Sequence, residues 1–183
     1  MDRIFSEIIS QNARPASRSP IRDWCVHYQP RVSLESGRWV GAEALLRPKI
    51  NRGISIEGSV RELERSGDIN TVGTMVLRES GRLASRLRHH GLPGRISVNV
   101  SSEQTHGVRF VDMIQRVLRE TGADASAIEL EFSERSPLHG SPKLPELFKQ
   151  LRDMGLRVAL DDFGSGHTRF SQVGTDRRQR STT

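Results

Sequence analysis

Ala127-Ile128-Glu129-Leu130-Glu131-Phe132-Ser133-Glu134 reads as a strand with two unlike faces. Ile128, Leu130 and Phe132 fall on one side and Glu129, Glu131 and Ser133 on the other, because successive side chains of a strand alternate. Working towards the N-terminus, Val108, Val111, Ile114 and Leu118 are spaced for a helix over about 103–120. Ser101 or Ser102 is placed to cap it and Gly122 to end it. Before it, Arg95-Ile96-Ser97-Val98-Asn99-Val100-Ser101 repeats the two-faced pattern, with Ile96, Val98 and Val100 opposed to Ser97, Asn99 and Ser101. Towards the C-terminus, a helix over Pro145–Met154 is closed by Gly155, and an apolar strand over Leu156–Leu160 comes next. Strands alternating with helices predict parallel βα units. Both faces of such strands are normally covered, so the polar rows are candidates for an interior site as well as for a solvated side.

The last strand delivers Asp161-Asp162 into Phe163-Gly164-Ser165-Gly166. Taken alone, this is an ordinary Asp-Asp turn flanked by glycines. Its company changes the reading, since Asn99, Glu131 and Asp161 are each separated by about thirty residues, close to one βα repeat. Each then sits near the same end of a successive strand, where βα barrels carry their catalytic groups. Glu43 joins them from an earlier strand. Four hard oxygen donors suit Mg²⁺ or Mn²⁺ rather than zinc, and without a cation they would repel.

The first part of the chain is organised differently. Ile4-Phe5 and Ile8-Ile9 suggest a short leader helix, and Gln11–Pro20 a linker, so residues 1–20 are set apart from the rest of the chain. Trp24–Pro30 reads as a first strand closed by Pro30, Ser36-Gly37 as a hairpin-like turn and Trp39–Pro48 as a second strand. Glu43 and Arg47 are the charged residues of this second run. They either pair as a structural ion pair or face a functional cavity. Val60 and Leu63 then lie on a helix ending at Gly67, and Val72 to Leu87 on a longer one. His89-His90 comes after its last apolar turn, where positive charge favours a helix C-terminus; adjacent histidines make poor joint ligands.

Composition sets the outer limits. With 183 residues, a net charge of +6 and a pI of about 10.6, the chain can form one domain with a substantial core. The arginines are scattered apart from Arg177-Arg178-Gln179-Arg180, which argues against a nucleic-acid polymer as partner but favours a small anionic ligand. No run approaches the roughly 18 apolar residues of a membrane span, and no signal peptide is evident, so the expected location is cytoplasmic. Cys25 is the only cysteine, which excludes an internal disulfide and is read as a small buried residue. Gly-x-Ser-x-Gly and P-loop motifs are absent.

The segments Tyr28-Gln29-Pro30, Gly41-Ala42-Glu43-Ala44-Leu45-Leu46-Arg47, Ser97-Val98-Asn99-Val100-Ser101, Glu131-Phe132-Ser133-Glu134 and Asp161-Asp162-Phe163-Gly164-Ser165-Gly166 resemble, in order, the signatures of the EAL domain family. The resemblance spans residues 21–173. It implies an incomplete TIM-like (β/α) barrel with about five strands present, and metal-dependent hydrolysis of cyclic di-GMP to linear pGpG. It implies further that Glu43, Asn99, Glu131 and Asp161 bind one Mg²⁺ or Mn²⁺, and that Asp161 with Asp162 reaches a second. Arg47 would hold a substrate phosphate and Gln29 would lie beside a base. Glu64 matches a family glutamate to which no role is assigned. Two such metals can acidify a water and neutralise a phosphodiester, and an arginine fork suits a phosphate.

Departures from the pattern accompany the match. Pro48 stands where the family usually has tryptophan, and residues 174–183 form an unrelated polar, basic tail resembling read-through or truncation. The family's Lys-x-Asp strand, a later metal-binding glutamate and a ligand-contacting glutamine are not found. Such losses would slow hydrolysis by orders of magnitude, since one positioned acid-base group contributes roughly 10²–10⁴-fold. An unpaired Leu156–Leu160 edge would also invite a homo-oligomer or protein partner. Besides a weak or inactive phosphodiesterase, the sequence therefore admits a non-hydrolytic cyclic di-GMP or protein-binding regulator, and a decayed fragment.

Overall fold

A computed structural model of the chain describes residues 20–50, 53, 55–92, 94–105, 109–133 and 142–161. Most of the leader and linker, Glu134, Asp162 with its glycine turn, and the basic tail lie outside these residues. The order of elements is β1 (Trp24–Val32), β2 (Trp39–Pro48), α1 (Ile56–Ser66), α2 (Ile69–His89), β3 (Arg95–Val100), α3 (Arg109–Thr121), β4 (Ile128–Ser133), α4 (Leu144–Asp153) and β5 (Arg157–Asp161). The five strands form one sheet in sequence order. β1 pairs antiparallel with β2, and all later pairings are parallel.

Local chemistry accounts for the boundaries. The Ser55 hydroxyl accepts from the Gly58 amide at 3.0 Å and caps α1, while Gly67, at φ 78°, ends it in the left-handed conformation. Pro145 lies in the first turn of α4, where its missing N–H costs nothing. Two expectations are corrected. β1 continues through Pro30 to Val32, because among the described residues β1 is an edge strand and its proline removes no required sheet hydrogen bond. The helix expected over about 103–120 is interrupted: Ser102–Thr105 form a 3₁₀ turn, and the α-helix begins at Arg109. In that turn the Ser101 hydroxyl accepts from the Glu103 amide at 3.3 Å, and the Gln104 side chain accepts from the Ser101 amide at 3.0 Å, which favours a local turn over a continued helix.

The core lies on one side of the sheet. Ile96, Ile128 and Leu130 meet Val72, Leu83, Ile114 and Leu151 from the helices, all buried. The opposite side carries Glu43, Ser97, Glu129 and Glu131. Among the described residues β1 and β5 each have a single neighbour, so the sheet does not close. The architecture is an incomplete (β/α) barrel. Cys25 is half-buried rather than buried, with its thiol donating to the Arg47 carbonyl at 3.4 Å. No helix among the described residues is long and apolar enough to cross a membrane.

Candidate metal and ligand site

Strand register places the positions of Glu43, Asn99, Glu131 and Asp161 on four successive strands. Glu43 on β2 is paired with Ser97 on β3, and Asn99, two residues further along, is paired with Glu131 on β4. Glu131 is paired in turn with Ala159 on β5, and Asp161 occupies the position opposite Ser133 at the end of that strand. The Asn99 amide nitrogen donates to Glu43 Oε1 at 2.9 Å, which orients the amide and leaves its carbonyl oxygen as a neutral donor. Glu43 therefore does not pair with Arg47, and the ion-pair reading of that strand is excluded. Arg47 instead donates from Nη1 to the Leu46 carbonyl at 2.9 Å. Gln29 lies opposite Glu43 on β1 and is exposed.

Beneath this row is an ionic cluster that the sequence did not single out. Arg31 sits at an irregularity in β1, between Arg31 and Val32, where the strand shifts register. Its neighbour on β2 is Gly41, where a Cβ would fall 2.0 Å from the Arg95 carbonyl oxygen. That position must stay bare for β2 and β3 to approach. From there Arg31 Nη1 reaches Glu131 Oε1 at 3.0 Å and Glu129 Oε1 at 3.3 Å, and donates to the Ser97 hydroxyl. Ser97, fully buried, donates to Glu129 Oε1 at 3.1 Å, and Arg95 lies 3.5 Å from Glu129 Oε2. Glu129 and Ser97 are legible as members of polar rows. Arg31 is not, because it lies beyond Pro30, a residue that ordinarily signals the end of a strand.

The electrostatics reflect this crowding. Burial raises the Glu131 pKa, against the lowering effects of hydrogen bonding from Ser97 and of the Arg31 charge; the carboxylates of Glu43 and Glu129 raise it further. Glu131 is thus a carboxylate whose negative charge is opposed by its surroundings, an arrangement suited to a cation. The donor set fits Mg²⁺ or Mn²⁺, being made of carboxylate and amide oxygens with no sulfur or imidazole. Among the described residues no three His, Cys, Asp or Glu side chains gather as a cation cage, and Asp162 lies outside those residues.

Glu64 acquires a place as well. Its Oε1 accepts from the Ser101 hydroxyl at 2.6 Å, so α1 is tied to the side chain of the residue two positions beyond Asn99. Gln104 completes the anchor from below and packs where Gly73 on α2 leaves room, 1.7 Å from where a Cβ would stand. A cavity of about 630 Å³ lies elsewhere, between the end of β2 and α1, lined by Trp24, Pro48, Ile50 and Leu63. None of the expected site residues lines it. Among the described residues the carboxylate row lies on the face of the sheet opposite the helices.

Comparison with known proteins bears on this geometry. A cyclic di-GMP phosphodiesterase of Pseudomonas aeruginosa is 29% identical over 149 residues, which are 80% of this chain and 25% of that protein. This chain therefore spans about a quarter of that relative's length. The phosphodiesterase PaMucR, solved in complex with c-di-GMP, superposes with a TM-score of 0.71 at 29% identity, covering 81% of this chain and 63% of that one. A Klebsiella pneumoniae protein solved with manganese and cyclic di-GMP shares the fold, with a TM-score of 0.65 at 21% identity over 87% of this chain and 40% of its own. The EAL domain family model matches residues 16–175, a slightly longer stretch than the motifs alone delimit, and the chain belongs to the EAL domain family.

Proposed function

We propose that residues 21–173 form a cyclic di-GMP site of the EAL phosphodiesterase type, with residues 1–20 as leader and linker and 174–183 as an unrelated tail. The observation that carries this reading is the Asn99–Glu43 hydrogen bond at 2.9 Å, with Glu131 paired opposite Asn99. It sets three oxygen-bearing residues from three adjacent strands in one row. Glu43, Asn99, Glu131 and Asp161 would hold Mg²⁺ or Mn²⁺, and Asp161 with Asp162 would reach a second ion. Such ions, when bound, acidify water and neutralise a phosphodiester. Asn99, steered by Glu43, would present its carbonyl oxygen. Arg47 would leave the Leu46 carbonyl to bind a substrate phosphate through charge-assisted hydrogen bonds, and Gln29 would contact a base. The reaction is hydrolysis of cyclic di-GMP to linear pGpG, in the cytoplasm. A homo-oligomer or protein partner would use the edge of β5, which among the described residues pairs only with β4.

The test is incubation of the purified chain with Mn²⁺ and cyclic di-GMP beside a Glu43→Ala variant, with product formation and calorimetric binding monitored together. Linear product that disappears in the variant establishes hydrolysis at this site. Glu43-dependent binding without product makes the chain a non-hydrolytic receptor. Absence of both overturns the proposal and leaves the fragment or protein-binding reading.

A further inference from the structure

We infer that Arg31 is a positioning residue for the metal ligand Glu131, and that Ser97 and Glu129 form the anchor holding Arg31 in place; this rests on the metal-site reading above. Three observations lead to it. Arg31 touches only Oε1 of Glu131, at 3.0 Å, which fixes one carboxylate oxygen and leaves Oε2 for a cation. The same Nη1 nitrogen is held by Ser97 and by Glu129 at 3.3 Å, so the guanidinium stays in place whichever way Glu131 turns. Glu129, 16% exposed at its side chain, has Arg31 on one oxygen and Arg95 on the other, at 3.3 and 3.5 Å, and so is itself fixed from both sides.

The sheet is built for this reach. The register irregularity after Arg31 re-aims the end of β1, and Gly41 puts no side chain between Arg31 and β3. A half-exposed arginine on an edge strand, 48% exposed at its side chain, thereby crosses β2 and β3 to a carboxylate on β4 that is 13% exposed. Residues that hydrogen-bond a metal ligand fix its orientation and basicity, and their loss typically lowers metal affinity about 10–100-fold. Surface ion pairs of ordinary kind contribute little, so a role confined to stability would leave metal affinity unchanged.

The experiment is a Mn²⁺ titration of the full chain by calorimetry, with free Mn²⁺ counted by its paramagnetic resonance signal. Wild type, Arg31→Gln, Ser97→Ala and Glu129→Gln are compared, and Arg31→Gln is repeated in a Glu131→Gln background. The expected result is Mn²⁺ affinity weakened about 10-fold or more by Arg31→Gln, weakened less by Ser97→Ala and Glu129→Gln, and untouched by Arg31→Gln once Glu131 is already replaced. Circular dichroism without metal verifies that each variant is folded. If Arg31→Gln fails to fold, the Ser97→Ala and Glu129→Gln titrations decide in its place. Unchanged affinity in folded variants overturns the inference while leaving the metal site standing. Absence of Glu43-dependent Mn²⁺ binding in the wild type overturns both at once.

Discussion

The two faces of the sheet are built from alternate residues of the same strands, yet they are held by different forces. On the helix-covered face, Ile96, Val98, Ile128 and Leu130 are at most 3% exposed and pack against α2 and α3. On the other face, the same strands place Ser97, Glu129 and Glu131 around Arg31. Apolar burial is non-directional and proportional to area, so the first face supplies stability without specifying any single contact. The second face is directional and close to charge-balanced, and its contribution depends on each partner being present. One face makes the fold, and the other gathers charges that the fold must tolerate.

Breaking the apolar face should have the largest effect. Leu130→Ala removes a side chain that is 1% exposed at the centre of β4. Chemical denaturation should show a loss of about 2–5 kcal/mol, from lost transfer energy and the cavity left behind. The polar face should respond more weakly. Ser97→Ala deletes a buried hydroxyl between Arg31 and Glu129, but those two remain in contact at 3.3 Å. The expected cost is about 1 kcal/mol, the ordinary net value of a hydrogen bond. If Ser97→Ala proved as damaging as Leu130→Ala, the division of labour between the faces would be wrong.

The same contrast explains what is legible in the sequence. The period-two alternation in Arg95–Val100 and Ile128–Ser133 carries both the strands and their faces, because one set of residues is apolar and the other is not. The thirty-residue spacing carries the grouping of Asn99 with Glu131. What the sequence does not carry is reach across the sheet. Arg31 and Glu131 are separated by 100 positions, and their contact depends on the bare Gly41 and on the irregularity at the end of β1. Nor does periodicity separate Ser102–Thr105 from α3, since that turn is set by hydrogen bonds of Ser101 and Gln104 rather than by apolar spacing. The Glu43–Arg47 question is likewise undecidable within one strand, because the partner that resolves it, Asn99, lies 56 positions away.

The smallest effect is the one that weighs the two opposing forces on Glu131. Burial and the neighbouring charges of Glu43 and Glu129 raise its pKa, while Ser97 and Arg31 act against them without cancelling the rise. A carboxyl whose folded pKa lies above its unfolded value binds more protons in the folded state across the interval between the two. Its contribution to stability is therefore most favourable below the unfolded value of 4.5 and declines as pH rises through the folded value. Glu131→Gln keeps an oxygen for Arg31 but has no charge to bury. Measured by denaturation in the presence of a chelator, its stability relative to wild type should increase as pH rises from below 4.5, then level off. The opposite slope would mean that Arg31 more than compensates for burial, making the polar face a source of stability in its own right. A rise instead identifies Glu131 as a charge that the folded chain carries at a cost, which is what a cation bound there would relieve.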